Sequence, residues 1–187
     1  YFMWLGGDDK FDETYIFECL KIFSNNEDCS TVFCHFHLFD VNANQIFSKI
    51  TPSSSSSDFP FIRMKNQLRD PVPNVLFGLH KTSILKKIDV FEAFDWFDVL
   101  GCIQLSYYGK IYIIPRYLYY CGIDGPRKPY SLTGKYLSLN TFKRRLRVFS
   151  RYKLSFWSRL QMFILSEYST FYAQKSINKV IRNWKHY

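Results

Sequence analysis

The chain has 187 residues, a net charge of +9 and 47% hydrophobic residues, with an unusually large aromatic share of 19 Phe, 14 Tyr and 4 Trp. This is ample material for a buried core and excludes an intrinsically disordered chain. No apolar run is long enough to cross a bilayer and no signal-peptide layout opens the sequence, so neither a transmembrane span nor a secretory leader is predicted from these residues.

The charge is unevenly placed. From Lys143 onward there are eleven Lys or Arg and one acid, Glu167, while the preceding 142 residues carry 14 bases and 15 acids. A neutral body with a basic tail favours an anionic partner: lipid head groups, nucleic acid or phosphorylated substrates. The five cysteines (19, 29, 34, 102 and 121) show no CxxC or zinc spacing, which predicts reduced thiols in an intracellular setting.

In chain order, YFMWL (1–5) reads as a short buried strand stopped by Gly6-Gly7. A helix follows, with Asp12 as N-cap, Phe11 and Ile16 as a hydrophobic staple, and Ile16, Cys19, Leu20 and Phe23 on one face. Asp8 and Asp9 therefore fall on a strand-to-helix loop, the kind of loop where ligands bind in open α/β sheets. STVFCHFHLFDVNANQIFS (30–48) predicts a hairpin turning at its Asn-rich link. TPSSSSSDFP (51–60) predicts a flexible loop, continuing irregularly to about Pro73.

Val75 to Phe77 then predicts a strand, followed by a helix through Ile84, Leu85 and Ile88. Another helix begins near Asp95, with Trp96, Val99, Leu100 and Ile103 along one stripe. KIYIIPRYLYY (110–120) predicts a strand broken at Pro115, and CGIDGPRKPYS (121–131) a loop. Two amphipathic helices close the chain. The first runs through Trp157, Leu160, Ile164, Tyr168 and Phe171, and the second through Ile177, Val180, Ile181 and Trp184.

The order of these pieces resembles the C-terminal half of a family 2 glycosyltransferase with the GT-A fold. The resemblance rests on an apolar strand ending in an acidic motif (WLGGDDKFD, 4–12), an acceptor-side segment (FGLHKTSIL, 77–85), an acidic helix start (FDWFDVLGCIQLSYYGK, 94–110) and the strand after it. It spans about Tyr1 to Ser131. It implies an α/β chain with a mixed sheet and flanking helices, residues 1–140 forming part of the catalytic domain and 141–187 a basic helical tail. The family's N-terminal nucleotide-binding βαβ half has no counterpart in this sequence, so the chain is expected to be a fragment or a truncated product.

The same resemblance implies a nucleotide-sugar donor and a glycan or lipid-linked acceptor. The expected reaction is inverting sugar transfer in polysaccharide, lipopolysaccharide or glycoprotein-glycan assembly, at the cytoplasmic face of a membrane. The family's motif reads Leu-Asp-x-Asp-Asp; here Gly6 takes the place of the first Asp, leaving Asp8 as ligand of a divalent metal (Mn²⁺ or Mg²⁺) and Asp9 as its support. N-terminal acids also suit a helix start without any metal. Inversion needs a carboxylate base; the family's spacing to Gly109 selects Asp98, with Asp95 second, although Asp95 and Asp98 also fit a capping pair.

Arg127 and Lys128 are candidates for the diphosphate, and His80 and Trp96 for the acceptor, each with a plain structural reading beside it. His35 and His37 share a strand face but lack a third metal ligand in sequence. The 143–187 tail can lie on an anionic membrane or fold back on the body, and no nucleic-acid signature accompanies its charge. The competing class is a non-catalytic remnant acting as a binding or membrane-associated module.

Overall fold

In the computed structural model, residues 1–40, 42, 44–88, 97–123 and 139–166 are described. They form an α/β fold around a mixed five-stranded sheet. Two long parallel strands, β2 (Cys29–Asp40) and β5 (Lys110–Ile123), make its centre. β1 (Lys10–Phe11) pairs antiparallel with the far end of β5, while β3 (Gln45–Ile50) and β4 (Leu79–His80) pair antiparallel with β2.

The burial of β2 explains its composition. Its first six residues are all buried, which suits the continuous run Cys29–Cys34; beyond Cys34 the strand is partly open and its residues vary. A strand covered on both faces takes apolar side chains or polar ones with partners inside, as where Ser30 Oγ donates to the Lys110 carbonyl (3.0 Å) and the Thr31 hydroxyl to His80 Nδ1 (2.9 Å); a half-open strand is less restricted. The expected hairpin is present as β2–β3. β5 is continuous through Pro115: the pairing steps from Cys34–Ile114 to His35–Tyr117, so Pro115 and Arg116 bulge outward, exposed. A bulge tolerates proline's missing N–H, so in place of the expected break the strand runs on through a bulge.

Helix α1 (Tyr15–Asn25) packs on the sheet through Tyr15, Cys19 and Phe23. Leu20, expected on that face, is exposed. Asp12 acts two positions early: its Oδ1 accepts from the Thr14 N–H (2.9 Å) and the Thr14 hydroxyl (2.5 Å), and Thr14 is the N-cap. The expected buried strand at 1–5 is instead an edge segment. It joins β4 through one bridge, Phe2 to His80, and leaves Tyr1, Phe2 and Leu5 exposed.

The stretch from Thr51 to Pro73 departs furthest from expectation. Ser55 is buried and bridged to Ile111 by two backbone hydrogen bonds (2.9 and 3.1 Å), and Ser54 Oγ accepts from the Ile113 N–H (3.0 Å). The serine run thus lines the open edge of β5. After it comes α2 (Pro60–Arg69), with Pro60 at its first turn. The strand expected at Val75–Phe77 lies within a 3-10 helix, Pro73–Phe77, and the strand is β4, two residues later. Short α3 (Thr82–Leu85) and α4 (Phe97–Tyr108) follow.

Two apolar cores result. The first lies around β2, β5 and α1, with Val32, Phe33, Phe36, Ile111 and Tyr119 at its centre. The second is helical: Met64 and Leu68 of α2, Leu100 and Ile103 of α4, Val148 and Phe149 of α5 (Leu139–Ser150), then Tyr152 and Met162. The described part of the basic tail therefore packs on the body. Arg145 of α5, fully buried, donates to the Ser166 carbonyl (3.5 Å). All five cysteines are buried thiols. Among the described residues no helix is long and apolar enough to cross a membrane.

Candidate active site

Asp8 and Asp9 lie at the carboxyl end of the parallel pair β2–β5. The Gly6–Asp9 loop enters β1 there, and its two carboxylates have opposite fates. Asp9 is bound into the fold: Oδ2 accepts from the Tyr119 hydroxyl (2.6 Å) and the Gly6 N–H (3.2 Å), and Oδ1 accepts from the Gly122 N–H (2.8 Å). Asp8 is exposed, with no hydrogen-bond or ion-pair partner among the described residues.

Close packing sets this geometry. A Cβ on Gly122 would lie 2.1 Å from the Asp8 carbonyl oxygen, so only glycine lets the loop settle on β5. A Cβ on Gly6 would lie 2.6 Å from Asp9 Oδ2 and 3.1 Å from Asp8 Oδ1. The two carboxylate oxygens therefore converge on the space above Gly6, and an aspartate at position 6 would collide with them. Two convergent carboxylate oxygens suit a hard divalent cation that takes its other ligands from phosphate and water. Asp8 has lone pairs to give; Asp9, already holding three donors, fits a supporting role. Among the described residues no group of three or more His, Cys, Asp or Glu side chains could hold an ion unaided.

Asp98 stands in the first turn of α4, its Oδ1 accepting from the Val99 N–H (2.7 Å). Burial holds its carboxyl above the usual range, opposed by that hydrogen bond. A chain of contacts ties α4 to the acidic loop. One turn on, the Cys102 thiol faces the carbonyls of Val72 and Pro73 (3.9 and 3.8 Å). The Asn74 amide donates to Cys121 Sγ (3.4 Å), next to Gly122. The 3-10 helix thus bridges Asp98's helix to the strand end that Asp9 grips.

His80 is placed elsewhere. It is fully buried, its Nε2–H donating to the Leu76 carbonyl (2.7 Å) and its Nδ1 accepting from the Thr31 hydroxyl (2.9 Å). The carbonyl can only accept, which fixes the tautomer. Burial holds the ring's pKa down at about 4. This is a core histidine, sealed from any acceptor. Asp95, Trp96, Arg127 and Lys128 lie outside the described residues.

His35 and His37 gain aromatic neighbours instead of a third ligand. His37 stacks on Tyr117 (ring centroids 4.8 Å, 21° between planes) and lies 5.0 Å from Tyr120. The pairings Lys10–Tyr120, Tyr120–His37 and His37–Lys49 set one row across all four strands β1, β5, β2 and β3. Lys10 Nζ sits 3.8 Å from the centre of the Phe39 ring, over the half-open end of the sheet. Single residues in the sequence point to none of this; it requires the register of four strands. The chain matches no protein-family model and no curated protein.

Proposed function

We propose that this chain is the acceptor-side part of an inverting, family 2-like glycosyltransferase of GT-A type, working on a nucleotide-sugar donor and a glycan or lipid-linked acceptor. The observation that carries the reading is the convergence of Asp8 and Asp9 oxygens at the carboxyl end of a parallel strand pair, where α/β folds bind ligands. Asp8 would hold a divalent cation, Mn²⁺ or Mg²⁺, which when bound offsets charge on the leaving nucleoside diphosphate. Asp9, fastened to Tyr119 and Gly122, keeps Asp8 in place.

Asp98 is the base in this reading. Its ionised carboxylate takes the acceptor hydroxyl proton as the hydroxyl oxygen bonds to the anomeric carbon and the bond to the diphosphate breaks. A carboxyl raised by burial is a stronger proton acceptor than a free one, and such bases contribute about 10²–10⁴ in rate. The work would take place on the cytoplasmic side of a membrane.

A second reading is favoured by one feature. Gly6 removes a carboxylate from the acidic motif and Asp9 already accepts three hydrogen bonds, so Asp8 is left with most of the motif's free lone pairs. That is the condition expected of a non-catalytic binding module. In the natural gene product, Asp98→Asn should lower transfer at least about a hundredfold while leaving Mn²⁺-dependent UDP and GDP binding intact. Asp8→Asn should weaken that binding. Transfer retained in Asp98→Asn removes this residue as the base; Mn²⁺-independent nucleotide binding favours the module.

A further inference from the structure

The helix over residues 156–166 is turned inside out relative to its apolar periodicity. The stripe Trp157–Leu160–Ile164 should be its buried face, yet Trp157 is 70% exposed, Leu160 38% and Ile164 56%, with Phe156 beside them at 71%. The side held against the protein is Met162, Phe163, Leu165 and Ser166; Met162 is buried in the helical core, and Ser166 receives the buried Arg145. The helix thus has two apolar sides and, among the described residues, a neighbour for only one. A further exposed apolar residue, Leu146, lies on α5 between exposed Lys143 and Arg147.

We propose that this outward stripe is the seat of an anionic lipid bilayer, with Phe156 and Trp157 entering the head-group boundary and Lys143, Arg147, Arg151 and Lys153 meeting lipid phosphates. Between residues 139 and 166 the sequence contains seven Lys or Arg and no acid. The four cations named are exposed, and two of them, Arg151 and Lys153, sit on the turn directly before the stripe. Indole and phenyl rings favour the bilayer interface, and basic residues beside them add electrostatic attraction to an anionic surface. A second copy would face like charge with like charge, which opposes self-association. Nucleic acid would satisfy the cations but leave Leu160 and Ile164 against phosphate. The proposal stands apart from the transferase reading, since it needs neither Asp8 nor Asp98.

The test is co-sedimentation of the 187-residue chain with vesicles of equal parts phosphatidylglycerol and phosphatidylcholine, against phosphatidylcholine alone. Binding is expected to the anionic vesicles, weakening with salt. The Phe156→Ser/Trp157→Ser variant, altered only at exposed positions, should keep the wild-type melting temperature and bind at least about tenfold more weakly. Lys143→Gln/Arg147→Gln should weaken binding without changing the fold. No binding to anionic vesicles, or equal binding by the Phe156→Ser/Trp157→Ser variant, overturns the proposal. So does a wild-type dimer that this variant dissolves, or Trp157-dependent RNA binding without vesicle binding.

Discussion

The two ends of β5 use charge in opposite ways. At its start, Lys110 bridges Asp28 and Asp58 (2.8 and 2.7 Å), and Arg63 sends its guanidinium into the last turn of α4. Arg63 donates to the carbonyls of Ser106 (2.6 Å), Tyr107 (3.0 Å), Ser57 (2.7 Å) and Asp58 (3.1 Å). A helix end leaves carbonyls without partners, and here a buried arginine supplies the donors. Toward the strand's other end, Asp8 is exposed and partnerless among the described residues, and Asp98 is raised by burial. Charge built into the fold marks architecture; charge left over, beside a glycine-enforced close approach, marks the place to look for chemistry.

Substitutions can break this contrast. The largest stability effect is expected at the structural end. Arg63→Ala removes four donors at once and should cost about 3 kcal/mol or more, read as a lower urea midpoint. Arg63→Lys should recover only part of the loss, because an ammonium cannot reproduce the planar fork.

The buried neutral His80 comes next. Its pKa is about 4 in the folded chain, against about 6.5 when unfolded. Between these values the unfolded chain binds the extra proton, so stability is complete above pH 6.5 and declines as the pH falls toward 4. The decline amounts to about 3 kcal/mol. His37, also shifted downward, adds to it with the same sign. Glutamine can accept from Thr31 and donate to Leu76 without titrating, so His80→Gln should flatten most of the slope in urea melts taken across pH.

The smallest effects sharpen the contrast within the acidic loop. Asp9→Asn loses acceptor capacity toward Gly6, Tyr119 or Gly122 and should cost about 1–3 kcal/mol. Asp8→Asn should stay within about 0.5 kcal/mol of wild type. Equal losses at both positions would mean that Asp8, too, is architectural.

Much of this was legible in the sequence. Helix α1, the β2–β3 hairpin, the body of α4 and the path of β5 follow from apolar period and turn residues, and the Asp8–Asp9 pair stands out by its place on a strand-to-helix loop. Helix α2 did not, because its buried side is Arg63, Met64, Gln67 and Leu68, where two polar residues erase the apolar stripe. The burial of Ser55 depends on the open edge of β5, more than fifty residues away. Asp9's partners Tyr119 and Gly122 are more distant still. Only the assembled sheet separates Asp8 from Asp9, since the two letters are identical and adjacent. For 156–166 the period gives the stripe Trp157–Leu160–Ile164 and leaves both a membrane and the body open as its cover; the fold turns that stripe outward, because periodicity names an apolar face without naming what covers it.

The buried cysteines give the molecule an internal clock. Burial pushes the thiols of Cys19, Cys29 and Cys34 up to about 12 and that of Cys102 higher still, so the reactive thiolate is scarce in the closed protein. A small alkylating reagent must wait for the chain to open, and its rate of uptake then reports how often each part does so. Cys29 and Cys34 on β2 would time the sheet, Cys102 the helix that carries Asp98, and Cys121 the strand end beneath the acidic loop. The buried sulfur atoms thus offer a measure of whether the candidate site breathes independently of the sheet that supports it.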